Sequence, residues 1–250
     1  MATPRLITIP ISHFCEKARW ALDRAGVAYV EVAHLQLLHR VAVRRAGGGR
    51  TVPVLVADDF VLAESADILD YADAQAPAGR GLYPEDPRLA AETRELERDF
   101  NLRLGPDGRR WMYDGIRHEQ GLMKAYGGTG VPRWQRWSMP VTTRLLPPVL
   151  DRCLDISAAS AADSLGRVRT TFDEVGERLA DGRPYLMGDS FTAADLTFAA
   201  LSAPVTMPEQ YGVPLPSPSE LSPGMAAVVN EMRAHPAGAH ALAMFRDERR

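Results

Sequence analysis

Over its first 75 residues the chain switches between two hydrophobic periods, and that alternation limits the fold more than any other feature. Arg5 to Ile9 reads as a strand and residues 13 to 25 as an amphipathic helix. Ala28 to Ala33 is a strand again, and a helical stretch around 35 to 45 follows. Val52 to Ala57 and Phe60 to Leu62 are short β-like runs parted by Asp58-Asp59, a hairpin signal. Glu64 to Ala74 is helical. An order of βαβ followed by αββα predicts a small α/β domain with its sheet covered by helices.

The alternation then stops. APAGRGLYPEDP, residues 76 to 87, is rich in Pro and Gly and reads as a linker. The predicted boundaries are an α/β domain over 1–76, a linker over 77–87 and an all-helical domain over 88–250. Leu165, Val168, Phe172, Val175 and Leu179 advance in steps of three and four, which is one helix face. GGTGVPRWQRWSMP (127 to 140) and APVTMPEQYGVPLPSPSELSP (203 to 223) read as loops or extended segments. In FTAADL, Thr192 is placed to cap a helix with Asp195 returning a hydrogen bond, and Phe191 to staple onto Leu196.

Composition narrows the function. The formal net charge is −3, which gives no electrostatic footprint for nucleic acid or an anionic membrane surface. The apolar runs fall short of a membrane span, and the first residues lead into a strand without an apolar leader. Two cysteines, Cys15 and Cys153, are too few for a disulfide framework and fit a reducing compartment. A cytoplasmic protein is expected, with Cys153 structural. The glycine clusters at 47–49 and 127–130 lack phosphate-loop and dinucleotide-binding spacing, and no His/Cys pattern makes a metal site.

SHFCEKARWAL (12 to 22), RTVPVL (50 to 55), AESADILDYAD (63 to 73) and GDSFTAADL (188 to 196) occur in an order that resembles the cytosolic glutathione S-transferase superfamily. They are similar, in turn, to that family's strand-to-helix segment, its cis-proline segment, its Glu/Gln-Ser motif and its second-domain capping box. The resemblance covers almost the whole chain. It implies an α/β thioredoxin-like N-terminal domain (βαβαββα) plus an all-α C-terminal domain, glutathione as co-substrate, no metal, a small hydrophobic electrophile as second substrate, and a homodimer. The catalytic pattern is serine-type, as in theta-like and zeta-like members.

The chemistry starts at Ser12, immediately ahead of a helix. The first N–H groups of a helix have no internal partner and its dipole makes that end positive, so a thiolate there is stabilised. Ionising a thiol of pKa ~8.5 at pH ~6.5 requires about 2.7 kcal/mol. A helix terminus supplies ~0.3–2 kcal/mol and a hydrogen bond to a charged group ~1.5–3 kcal/mol. The dipole alone falls short, whereas dipole plus one hydroxyl suffices, and Ser12 is placed to supply the hydroxyl. The thiolate of a bound glutathione would be the nucleophile.

The resemblance assigns the remaining binding residues. The Val52 backbone, turned outward by a cis bond to Pro53, would pair with the cysteinyl part of glutathione. Glu64 would meet the γ-glutamyl ammonium and Ser65 its carboxylate. Arg50 is a candidate for the glycyl carboxylate, and His39 a weaker one. Candidates for the electrophile pocket are His13, Phe14, Trp111 and Tyr113, with Trp134 and Trp137 behind them. Cys15 matches the resolving position of glutaredoxin-like proteins. It leaves open a thiol transferase or reductase using Cys15, and a non-catalytic glutathione-binding scaffold is a further alternative.

Overall fold

The computed structural model describes residues 2–249. The first part is built from β1 (Arg5–Thr8), α1 (His13–Ala25), β2 (Val30–Ala33), α2 (His39–Arg45), β3 (Val54–Val56), β4 (Val61–Leu62) and α3 (Ser65–Gln75). The strands form one sheet in the order β2-β1-β3-β4. β1 runs parallel to β2, with Leu6 opposite Glu31, and antiparallel to β3, with Leu6 opposite Leu55. The β3–β4 hairpin pairs Leu55 with Leu62 and turns through Asp58-Asp59, where the Ala57 N–H donates to the Phe60 carbonyl at 3.0 Å. This is the expected βαβαββα arrangement, thioredoxin-like, and it is followed by an all-helical part.

That part comprises α4 (Pro87–Leu102), α5 (Leu104–Ile116), α6 (Gln120–Tyr126), α7 (Arg133–Leu154), α8 (Ala158–Arg178), α9 (Ala193–Thr206), α10 (Pro223–Ala234) and α11 (Pro236–Glu248). Every residue of α9 is buried, and α1, α4, α5, α10 and α11 pack around it. Its start is fixed by Asp195, whose Oδ2 accepts from the Thr192 N–H at 3.0 Å and hydroxyl at 2.8 Å, while Oδ1 accepts from the Leu186 N–H at 2.7 Å. Phe191 reaches back to α1, its ring 5.8 Å from that of Trp20.

Two stretches expected to be irregular are partly helical. α7 begins at Arg133 and carries Pro140, Pro147 and Pro148 inside it. An interior proline costs ~3 kcal/mol or more. The helix persists because Met139, Thr143, Leu146 and Leu150, spaced by four, three and four, bury one face. α9 likewise continues to Thr206 through the buried Pro204, and residues 207–217 and 221–222 lie outside helices. The helical stretch expected from residue 35 starts only at His39, because Leu37 takes a left-handed conformation (φ 72°) in the preceding turn. Among the described residues no helix is long and apolar enough to cross a membrane.

Candidate active site

The strand directions bring the predicted segments to one edge of the sheet. β1 and β2 are parallel, so both end at that edge; β3 starts there and β4 ends there. Ser12 follows β1, residues 34 to 38 follow β2, Val52-Pro53 precedes β3, and Glu64-Ser65 follows β4. The Val52-Pro53 bond is cis.

α7 closes over the end of β2. Its buried Gln135 accepts from the Leu35 N–H at 2.9 Å and meets His34 Nδ1 at 2.7 Å. α5 closes over the start of α1: His13 Nε2–H donates to the Gly105 carbonyl at 3.0 Å. Gly105 is needed there, since a Cβ would lie 2.5 Å from the Phe14 ring.

Between these elements lies a cleft of about 170 Å³, open to solvent. Ser12, His13, Phe14, Arg50, Val52 and Tyr113 from the sequence-based candidates line it, and so does His39. Ser12 is the N-cap of α1, and its Oγ accepts from the Cys15 N–H at 3.4 Å. That contact occupies a lone pair and leaves the Ser12 O–H as a donor. An acidic residue in the first turn, Glu16, would weaken the positive helix end. It is buried and offset by Arg19 at 2.9 Å and Arg249 at 2.7 Å.

Several candidates stand elsewhere. Pro53 is buried behind the cleft wall, and Glu64 and Ser65, at the start of α3, are not among its lining residues. Glu64 is exposed and makes no capping bond, whereas Ser65 is buried. Trp111 is buried in the main core, two positions from the cleft-facing Arg109 and so on another side of α5. Trp134 and Trp137 are 63% and 79% exposed on the outside of α7, away from the cleft.

Cys15 is fully buried, and burial pushes its thiol up to about 11 despite the opposing influence of Arg19 and the Ser12 hydroxyl. A nucleophilic role requires an exposed, low-pKa thiol, and the structure gives the reverse. Cys153 departs from expectation in the other direction: it is exposed and lines the cleft, with Arg40 donating to its Sγ at 3.6 Å.

The two cleft histidines are held neutral. Burial is the main cause for both, lowering His13 to about 3 and His39 to about 4. Burial raises Tyr113.

Sequence reasoning missed Arg40, Gln36, Met112 and Arg109. For Arg109 a signal existed: it stands four residues after Gly105 and four before Tyr113, on the helix face already marked by that tyrosine. The cleft lining includes three arginines and no carboxylate, so the site favours an anionic ligand. No cluster able to hold a metal ion occurs among the described residues.

Family comparisons agree with this architecture. The model of the glutathione S-transferase N-terminal domain matches residues 6–81, and that of the glutathione S-transferase C-terminal domain matches residues 158–212. The chain belongs to the glutathione S-transferase family.

No curated protein sequence matches it. Among solved structures it is similar to the theta class glutathione S-transferase of Xanthomonas axonopodis pv. citri with glutathione bound, at 21% identity, TM-score 0.55 and 97% coverage of each chain. A glutathione S-transferase from Sinorhizobium meliloti is 20% identical, with TM-score 0.60 and 99% coverage of each chain. One from Methylobacterium radiotolerans, in complex with glutathione sulfonate, is 19% identical, with TM-score 0.56 and coverage of 96% of this chain and 94% of that one. At these identities the likeness is one of fold.

Proposed function

We propose that the protein is a glutathione transferase in which Ser12 stabilises the thiolate of bound glutathione for attack on a small electrophile. The observation that carries this reading is the placement of Ser12: a hydroxyl at the positive end of the 13-residue α1, facing an acid-free cleft. The bound thiol releases its proton to solvent. The sulfur anion is then held by the Ser12 O–H and the α1 N-terminus, a charge-assisted arrangement. The sulfur attacks the electrophilic carbon, and the leaving group departs with its bonding electrons.

The tripeptide fits the sheet edge. Val52 offers a backbone pair, Arg50 a partner for the glycyl carboxylate, and the start of α3 at Glu64-Ser65 a place for the γ-glutamyl end. Family membership supports a cytoplasmic homodimer acting in detoxification. A thiol transferase using Cys15 is disfavoured by the burial of that thiol.

Conjugation of glutathione to chlorodinitrobenzene tests the reading. Ser12→Ala lowers kcat/KM by about ten- to a hundred-fold, the equivalent of losing ~1.5–3 kcal/mol of transition-state stabilisation. An unchanged rate overturns the role of Ser12. A wild-type protein that binds glutathione but conjugates nothing is instead a binding scaffold.

A further inference from the structure

Arg109 is a partly buried charged group without a partner. On the same helix, Arg110 meets Asp107 at 3.3 Å, and just past its end Arg117 meets Asp114 at 2.6 Å and Asp151 at 2.8 Å. On α1, the buried Arg19 is held by Glu16 and Glu31, both at 2.9 Å. Arg109 has no ion pair or hydrogen bond among the described residues, and its buried Nε–H has no acceptor. Its neighbours are the Phe14 ring, 6.0 Å away, and Tyr113. Burial also lowers its pKa.

The location of Arg109 separates it from the residues assigned to glutathione. Arg50, Val52, Glu64 and Ser65 belong to the sheet edge, whereas Arg109 stands on α5, on the opposite wall. The wall around it is apolar, built of Met112 from α5 and Leu146 and Leu150 from α7. His13 and Phe14 tie that wall to the start of α1, so Ser12 and Arg109 line one cleft. A ligand that satisfies both features has an apolar body and a negatively charged end. A planar carboxylate matches the guanidinium fork.

Resting on the transferase reading, we propose that Arg109 forms an anion subsite that selects electrophiles carrying a carboxylate. The glutathione conjugate of such an acceptor keeps that carboxylate, so product-like ligands report on the subsite without turnover.

The experiment is calorimetric titration of the full chain with S-benzylglutathione and with S-(para-carboxybenzyl)glutathione. In the wild type the added carboxylate tightens binding about ten-fold or more, as a charge-assisted hydrogen bond does. In Arg109→Gln that ratio falls to about one, and in Arg109→Lys it is partly retained. Equal affinity of the wild type for the two conjugates overturns the subsite without requiring any variant to fold. Selectivity that survives in Arg109→Gln overturns the assignment to Arg109. Failure of both conjugates to bind overturns the glutathione reading itself, a result separable from the other two.

Discussion

At the residue scale, the site turns on Ser12 and Cys15, three positions apart at the start of α1 and facing opposite ways. Ser12 lies outside the first turn and lines the cleft, while Cys15 lies inside it and points into the core. Their environments give opposite expectations for reactivity. Under native conditions iodoacetamide labels Cys153 and leaves Cys15 unmodified, because the first thiol is exposed and the second is buried with its pKa raised. Peptide mapping that finds Cys15 alkylated contradicts this account. Ser12 was legible in the sequence because helix starts and hydroxyl caps have a local signature. For Arg109 the spacing to Tyr113 marks the helix face, but the lack of a counter-ion is a property of three-dimensional surroundings and leaves no local trace.

At the element scale, α1 is anchored through a buried ion pair as well as apolar packing. Lys17 is fully buried, donating to Glu97 and, at 3.1 Å, to Asn101 of α4; Asn101 in turn donates to Glu97 at 2.6 Å. Such a pair contributes little net stability yet is costly to break from one side. Glu97→Ala, which strands the lysine, costs about 3–5 kcal/mol in urea unfolding, whereas the double change Lys17→Met with Glu97→Leu, which removes both charges, is close to neutral. The reverse ranking contradicts this description of the α1–α4 contact.

Periodicity identified α1, α3, α8 and the start of α9, since each repeats apolar residues along one face or carries a cap. It misread the first half of α7 and the end of α9, where prolines signal a break. There, burial of Met139, Thr143, Leu146 and Leu150, or of the whole of α9, outweighs the local preference.

At the scale of the whole molecule, the site exists because four strand ends meet at one sheet edge and a helical layer closes over them. The succession of strands and helices along the chain was implied by the alternation of short β and α patterns. The closing contacts, Gln135 on Leu35 and Gly105 on His13, span about a hundred residues and leave no local trace.

The central claim is that this junction lowers the pKa of a bound thiol, and the most direct measurement is titration of the ultraviolet absorbance of bound glutathione thiolate. The account predicts a bound pKa near ~6.5, about two units below a free thiol, and a return toward ~8.5 in Ser12→Ala. A bound thiol that titrates at its free value in the wild type contradicts it.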